Sequence, residues 1–290
     1  MTTTEVPFAA VIIPHFNDHT RLDRCLSALW RGGVPSDVEV IVVDNGSQPP
    51  LGDMSDFPGL RVVVETRKGA ANARNRGVSE TSAPRLWFLD ADCVPADDWF
   101  AQARAVCDKA DIIGGDVTVF DESGPPRNGA QGFETVFAFD CRSYVQELGF
   151  AVTANMLTRR HIFYRAGPFI DGVPEDKEWC QRAVRTGADI IFAPELRVAH
   201  PSRSDWSALR KKWVRLTREA WAAHRQRRFA SGLWVARAVM VALSGLVHLR
   251  RVFQSSKLTG AEKRSTALTL LRLRGLRSAW MLRQVVGLSV

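Results

Sequence analysis

Cysteine is scarce in this chain, and its arrangement argues against both disulfides and structural zinc. The 290 residues contain five cysteines, an odd number, and no two of them have the C-x-x-C spacing of a zinc site. No secretory signal precedes them. We therefore expect a reduced, cytosolic protein.

The chain also lacks the glycine-rich sequence of dinucleotide-binding proteins. No G-x-G-x-x-G follows the first apolar run, so a nicotinamide or flavin cofactor is not expected. With 46% hydrophobic and 24% charged residues, the composition is that of an ordinary globular protein. The length permits one large domain, or one domain with an extension.

Acidic residues are nearly absent from the last third of the chain. Residues 200–290 contain three acids against 19 lysines and arginines, a net charge of +16, which leaves −8 for residues 1–199. We therefore predict two parts, an acidic body over residues 1–204 and a helical, basic extension over residues 205–290. The extension suggests an anionic partner, either a membrane face or nucleic acid.

Apolar runs alternate with helical patterns along the first half of the chain. Strands are predicted at 9–14, 38–43, 61–64 and 85–89, and helices at 21–30 and 70–78. Short connections in this order predict an α/β protein with a doubly wound, mostly parallel sheet flanked by helices.

In the second half of the chain, the predicted helices and strands alternate less regularly. We predict helices at 97–107, 175–186 and 205–227, strands at 112–119, 150–157, 189–192 and 196–199, and a loop at 121–132. Residues 229–249 are long enough to span a membrane, but Arg237 favours an interfacial or packed helix. Packing on the body or on a second subunit of a homodimer stays open for this extension.

Two carboxylates directly follow the apolar run at 86–89. Asp90 and Asp92 should project from the edge of the sheet, where open α/β sheets bind ligands. Carboxylate oxygens suit Mg²⁺ or Mn²⁺, which usually keep partners on a substrate diphosphate. An isolated D-x-D also fits a loop or a helix cap, so its neighbours in the sequence must decide.

The order of signals resembles the family 2 glycosyltransferases, which have a GT-A fold. The matching stretches are V-I-I-P-H-F-N (11–17), V-V-D-N-G-S (42–47), G-A-A-N-A-R-N-R-G (69–77), F-L-D-A-D (88–92), T-A-N-M (153–156) and E-D (175–176). The resemblance covers roughly residues 8–200 and makes residues 1–204 a GT-A catalytic domain. It implies transfer of a sugar from a nucleotide-diphosphate donor, with inversion at the anomeric carbon.

The resemblance also implies a set of donor contacts. It assigns the nucleotide base to Asp44, the pocket wall to Pro14, Phe16 and Asn17, and the donor-flanking helix to Arg74 and Asn75, with Lys68 or Arg67 reaching the nucleotide. Turn chemistry in D-N-G-S is the alternative for Asp44, and a solvated helix face is the alternative for the basic residues.

The remaining site residues follow from the same resemblance. Asp92 matches the metal contact and Asp90 the ribose or sugar side of the metal-binding pair, and His200 matches a further metal or diphosphate contact. The E-D motif implies that Asp176 is the general base and that Glu175 orients the acceptor. Helix-dipole complementation also explains the acidic pair, and Trp179 either lines the acceptor site or belongs to the core.

One departure from the family concerns polymer synthesis. Processive members carry Q-x-x-R-W, where this chain has Leu209 for the glutamine and Lys212 for the arginine. We therefore expect single addition rather than polymer synthesis. For the donor we expect a UDP-sugar, and for the acceptor a lipid-linked or cell-envelope glycan. We expect the enzyme to be attached peripherally or monotopically to the inner membrane face. The alternatives are a nucleotidyltransferase, which would need a glycine-rich first loop, and a nucleic-acid binder, which would leave Asp90, Asp92 and Asp176 unexplained.

Overall fold

A computed structural model describes residues 6–225 and 229–290. The chain forms two compact units: Met1–Thr118 with Asp140–His200, and Val119–Phe139 with Pro201–Val290. The boundary expected at residue 204 lies at residue 200, and the second unit also takes in Val119–Phe139. Composition did not indicate this interruption, because the segment has no basic bias of its own.

One sheet contains eight strands in the order β3-β2-β1-β4-β7-β6-β8-β5. The strands are β1 (Ala9–His15), β2 (Val38–Asp44), β3 (Arg61–Val64), β4 (Arg85–Leu89), β5 (Val94–Pro95), β6 (Ile112–Phe120), β7 (Asn155–Arg159) and β8 (Ile190–Pro201). The β3-β2-β1-β4 half is parallel, whereas β7 pairs antiparallel with β4 and β6, and β5 with β8. The predicted α/β class is confirmed.

Ten helices accompany the sheet in the described residues. They are α1 (His19–Arg31), α2 (Ala70–Ser79), α3 (Trp99–Val106), α4 (Gly129–Phe137), α5 (Cys141–Gln146), α6 (Arg160–Ala166), α7 (Glu175–Arg185), α8 (Trp206–His224), α9 (Ala230–Gln254) and α10 (Gly260–Val285). The predicted helix 205–227 is α8, capped by the Asp205 side chain. Residues 226–228, where that helix was expected to end, lie outside the described residues.

The central strands are apolar along their whole length because both of their faces are covered. Every residue of β1 up to Ile13 is fully buried, and so is β4 from Leu86 to Leu89. Helix α2 lies so close to β1 that a Cβ on Gly77 would be 2.4 Å from Ile12 Cγ2. This packing aligns the carboxyl ends of the parallel strands with the amino end of α2, where the site residues cluster.

Four predicted segments differ from the structure. The strand expected at 150–157 begins only at Asn155, and those expected at 189–192 and 196–199 form the single strand β8. The loop expected at 121–132 ends at Asn128, whose side chain accepts hydrogen bonds from Ala130 N and Gln131 N. This capping box starts α4 inside the predicted loop.

The second unit has small apolar clusters of its own. Leu209, Leu270 and Phe133 share one cluster of α4, α8 and α10, while Trp234 and Met281 anchor another between α9 and α10. Among the described residues, α9 is the one helix long and apolar enough to cross a membrane. Most of its apolar residues are exposed, so the unit does not bury this helix as a core helix.

Candidate functional site

A cleft of about 420 Å³ opens in the first unit, where β1 and β4 end and α2 begins. Its lining includes Pro14, His15, Phe16, Asp18, Asn45, Lys68, Gly69, Arg74, Asp90 and Asp92. Six predicted site residues are in this lining, which brings together the donor side and the D-x-D pair. The lining does not include the predicted site residues Asn17, Asp44, Glu175, Asp176, Trp179 and His200.

Phe16 and Lys68 form one wall of the cleft. The Phe16 side chain is 52% exposed, and Lys68 Nζ lies 4.5 Å from its ring centroid. The same ammonium donates to the carbonyl oxygens of Asn45 at 2.9 Å and Gly46 at 3.1 Å. The wall therefore offers a flat apolar face for a ring and a positioned cation for an anion.

Asp44 is buried and does not line the cleft. It is 4% exposed, and its carboxylate accepts from Ser47 Oγ at 2.5 Å and Ser47 N at 3.2 Å. His15 Nδ1 is 3.3 Å away, and burial lowers the pKa of His15 although Asp44 opposes this. The observed hydrogen bonds of Asp44 are thus those of a turn residue in D-N-G-S.

Asn17 likewise joins two loops. Its backbone N–H donates to Ser47 Oγ at 2.9 Å, and its side-chain oxygen accepts from Gln48 N at 2.7 Å. Asn17 has a φ of 53°, a left-handed conformation that asparagine tolerates better than most residues. Asn17 thus shapes the loop that presents Phe16.

Asn45 is a site residue that sequence reasoning missed. Its side chain donates to the carbonyl oxygens of Glu65 at 2.8 Å and Arg67 at 2.7 Å, and accepts from Gly69 N at 2.7 Å. Gly69 has a φ of 122°, and a Cβ there would be 2.3 Å from Asp171 Oδ1. The sequence D-N-G signalled only a turn, so this role of Asn45 became visible with the fold.

Two of the predicted donor contacts, Arg67 and Asn75, make hydrogen bonds within the protein. Arg67 pairs with Glu65 at 3.2 Å, which raises the pKa of Arg67. Asn75 exchanges two hydrogen bonds of 2.9 Å with the backbone of Phe169. In this structure both residues hold neighbouring segments together.

Arg74 connects the two carboxylate motifs. It is 3% exposed, and its guanidinium lies 2.5 Å from Asp90 and 3.0 Å from Glu175. Burial alone would lower the pKa of Arg74, but the Asp90 and Glu175 carboxylates more than offset this and raise it. Arg74 therefore fixes the start of α7 against the end of β4.

Asp176 lies in the first turn of α7, beside Glu175. Its carboxylate accepts from Lys177 N at 2.7 Å. Loss of hydration, together with the adjacent negative charge of Glu175, raises the pKa of Asp176 to about 6. A carboxylate with this pKa is ionised at neutral pH and still basic enough to accept a proton.

The suggestion that Trp179 contacts an acceptor is wrong. Trp179 is 0% exposed, and its indole N–H donates to the Gly167 carbonyl oxygen at 2.9 Å. Its ring packs against Phe163 and Phe169 in the core. It therefore anchors α7 from behind, which was the second of the two interpretations that the sequence allowed.

Asp92, in the turn between β4 and β5, and His200, on β8, lie beside each other. His200 Nε2 is 3.3 Å from Asp92 Oδ2, with the His200 side chain 8% and the Asp92 side chain 28% exposed. Within residues 6–225 and 229–290, no group of three or more His, Cys, Asp or Glu could hold a metal. The pair fits a divalent cation that takes its remaining ligands from a diphosphate and water, as Mg²⁺ commonly does. Asp90, by contrast, faces Arg74.

Comparisons with known proteins agree on one family. The model of the family described as "Glycosyl transferase family 2" matches residues 10–167. Glycosyltransferase AglE of Haloferax volcanii is 29% identical over 250 residues, which cover 80% of this chain and 81% of AglE. Pre-mycofactocin glycosyltransferase of Mycobacterium tuberculosis is 28% identical over 220 residues, 68% of this chain but only 44% of that protein.

Solved structures share the fold. The mannosyltransferase PcManGT from Pyrobaculum calidifontis, in complex with GDP-Man and Mn²⁺, covers 98% of this chain with a TM-score of 0.56 at 17% identity, over 74% of its own length. S. aureus TarS 1–349 in complex with UDP-GlcNAc covers 95% of the chain with a TM-score of 0.52 at 15% identity, again over 74% of its length. These likenesses confirm the GT-A architecture.

Proposed function

Because the chain belongs to glycosyl transferase family 2 and is a transferase enzyme, we propose that it moves a sugar from a nucleoside-diphosphate donor to an acceptor hydroxyl. The observation that carries this proposal is Arg74, which joins the carboxylate at the end of β4 to the acidic pair that starts α7. Arg74 thereby links the donor cleft to the start of α7, where the basic carboxylate of Asp176 lies.

The proposed reaction needs one proton acceptor and one departing diphosphate. Asp176 takes the proton of the acceptor hydroxyl as its oxygen bonds to the anomeric carbon. The bond from that carbon to the diphosphate breaks, and the nucleoside diphosphate leaves with the electron pair. Attack from the face opposite the leaving group inverts the anomeric configuration.

The other cleft residues bind and orient the donor. We propose that Phe16 stacks on the base and that Lys68 contacts the diphosphate. Asp92 and His200 would hold Mg²⁺ or Mn²⁺, which when bound offsets negative charge on the diphosphate. Asp90, oriented by Arg74, faces the ribose or sugar, and Glu175 the acceptor.

A donor-binding measurement tests this assignment. We propose UDP as the nucleotide, and calorimetry with UDP-, GDP-, ADP- and dTDP-sugars plus Mn²⁺ identifies it. Phe16→Ala should weaken binding of the preferred donor about tenfold, because stacking on an aromatic ring contributes roughly 1–3 kcal/mol per base. Tyr164→Ala, at another exposed aromatic residue, is the matched control. Equal affinities for wild type and Phe16→Ala would remove Phe16 from the nucleotide site.

Metal dependence is expected to rest on Asp92. Asp92→Asn should lower metal-dependent turnover at least about 100-fold and weaken Mn²⁺ binding, because it removes the anionic partner of the pair with His200. Asp97→Asn, an exposed carboxylate paired with Arg31, should bind Mn²⁺ and turn over like wild type. Full activity of the Asp92 variant in chelator-treated buffer would contradict the role of the metal.

We propose a single addition to a lipid-linked or cell-envelope glycan. At the position of the processive motif, Lys212 donates to the buried Glu134 carboxylate at 2.7 Å, so it is committed within its own unit. An exposed apolar surface on the second unit supports the proposal that the acceptor is lipid-linked. The large exposed apolar residues of α9 are Leu233, Val235, Val239, Met240, Leu243, Leu246, Val247 and Phe253.

We propose that this apolar face of α9 lies on the cytoplasmic side of an anionic membrane, peripherally or monotopically. Eight large apolar side chains are exposed on this one helix, whereas single exposed apolar residues are normal on a protein surface. The excess of positive charge in residues 200–290 favours binding to acidic headgroups. Within the helix, Arg237 is exposed, which favours an interfacial position over a full span.

Charge placed on this face should release the protein from vesicles. Leu243→Glu with Val247→Glu should lower flotation with anionic vesicles about tenfold or more, because both residues are more than half exposed and would enter the apolar region. Val62→Glu with Val64→Glu, on exposed positions of β3, adds the same charge elsewhere. Equal flotation of the two double variants would assign the α9 face to a second copy of the chain or to packing.

A further inference from the structure

Three arginines of the second unit lie close to one another in charge and position. Arg237 is on α9, and Arg274 and Arg277 are on α10. Burial, then the nearby charges of Arg274 and Arg237, lower the pKa of Arg277 to about 10. In the part of the chain that the structure describes, no carboxylate pairs with any of the three guanidinium groups.

The guanidinium groups of Arg274 and Arg277 pack on one indole ring, and Arg237 Cζ lies 5.3 Å from the centroid of another, that of Trp234. The Arg277 Cζ atom lies 4.7 Å from the Trp213 ring centroid, and the Arg274 Cζ atom 5.7 Å from it. Arg274 Nη2 is 3.4 Å from His248 Nδ1. The Nε atoms of both arginines and the indole nitrogen of Trp213 are buried and have no hydrogen-bond partner. Buried donors of this kind are normally satisfied, and three of them belong to one arginine–tryptophan cluster here.

Another buried charge in the same unit, that of Glu134, is paired with residues of opposite charge. The buried carboxylate of Glu134 is matched by Lys212 at 2.7 Å and Arg203 at 3.2 Å. An unpaired buried cation costs much more than a paired one, so the arginine cluster stands apart from the pattern of its own unit. The arginine cluster therefore differs from the Glu134 site in having no acidic partner among the described residues.

The cluster adjoins the apolar face of α9. Arg237 is exposed on the same helix as Met240, Leu243 and Val247, and also belongs to the electrostatic surroundings of Arg277. A ligand there would meet guanidinium groups on one side and exposed aliphatic side chains on the other. An anion attached to a hydrocarbon chain matches that combination.

We propose that Arg237, Arg274 and Arg277 form a binding site for the phosphate group of an anionic lipid, whose chains lie along the apolar face of α9. The N–H groups of a guanidinium form a planar fork that matches the oxygens of a phosphate. A phosphate bound here would accept hydrogen bonds from the guanidinium groups of Arg274 and Arg277. This inference rests on the proposed membrane attachment and adds a specific headgroup contact to it.

Vesicle flotation of the full chain tests the site. The test variant is Arg274→Gln with Arg277→Gln, and the control is Arg264→Gln with Arg283→Gln, which removes the same charge from exposed positions of α10. With phosphatidylcholine vesicles containing phosphatidylglycerol, the test variant should bind about tenfold or more weakly than wild type, and the control within about threefold. Equal losses in both variants would overturn the proposal in favour of diffuse basic attraction.

Thermal shifts separate the site from membrane attachment and from folding defects. Short-chain phosphatidylglycerol below its micelle concentration should raise the Tm of wild type and the control but not of the test variant, and inorganic phosphate should have a smaller effect. Equal shifts by phosphate would make this a free-phosphate site, contradicting the lipid assignment. If wild type ignores vesicles but shows the lipid shift, membrane attachment fails and the phosphate site stands. If neither lipid nor phosphate shifts wild type, the site is refuted.

Discussion

Replacing Asp176 by asparagine is expected to lower kcat by about 100-fold or more, while donor affinity changes little. A positioned general base contributes roughly 10²–10⁴ in rate, and asparagine cannot accept the acceptor proton. The Asn side-chain oxygen can still accept from Lys177 N, which now lies 2.7 Å from Asp176 Oδ1. The start of α7 should therefore keep its geometry.

The pKa of Asp176 gives this prediction two further signatures. Because desolvation and Glu175 raise the pKa of Asp176 to about 6, wild-type kcat/KM should fall as the pH drops through about 6. The ionised form is the disfavoured one, so stability is lost as pH rises from the unfolded value near 4 through about 6. At pH 8 the asparagine variant should thus be more stable than wild type, by about 2–3 kcal/mol.

The matched control for Asp176 is Glu178→Gln on the same helix. Glu178 pairs with Arg182 at 2.8 Å on α7, and its loss should leave turnover within about twofold. A loss of activity accompanied by lower stability at pH 8 would indicate that Asp176 is a structural residue. Loss of donor binding with kcat retained at saturation would place the base elsewhere.

Arg74→Ala is expected to lower both stability and turnover. The side chain is buried and holds Asp90 and Glu175, so its removal leaves two partly buried carboxylates facing each other. Breaking a buried pair of this kind costs about 3 kcal/mol or more. Arg74→Lys keeps the charge but not the planar fork that bridges two partners, so it should fold more stably than the alanine variant yet remain impaired in turnover.

Arg76→Ala, on the same helix, is the control for that measurement. Its salt bridge with Glu80, at 2.6 Å, is between partly exposed side chains four residues apart, so its loss should cost under about 0.5 kcal/mol. Denaturant unfolding of the variants checks the difference. Similar losses for Arg74→Ala and Arg76→Ala would show that Arg74 does not connect the two motifs energetically.

The carboxyl ends of β1 and β4 were predictable from sequence because an apolar run followed by a turn determines each of them locally. The runs ending at Pro14 and Leu89 are buried parallel strands, so the D-x-D pair reaches the cleft edge as expected. Chain direction alone was enough for this result, since the carboxyl ends of parallel strands lie on the same side of a sheet.

Side-chain direction was not predictable in the same way. Trp179 and Asp176 are three residues apart on α7, and only packing against α6 decides that the indole is buried while the carboxylate stays partly exposed. Arg74 was expected to reach a donor, but two carboxylates distant in sequence compete for it. Such choices depend on contacts between elements, which local patterns do not contain.

Release of nucleoside diphosphate tests directly whether the cleft at Asp92, together with Asp176 on α7, transfers sugar from a nucleotide donor. Purified protein is incubated with UDP-, GDP-, ADP- and dTDP-sugars, with Mn²⁺, with Mg²⁺ and with chelator. We predict release from one donor class, dependent on the metal and lowered about 100-fold or more in both Asp92→Asn and Asp176→Asn. Release that persists in chelator, or that survives both substitutions, would contradict the account.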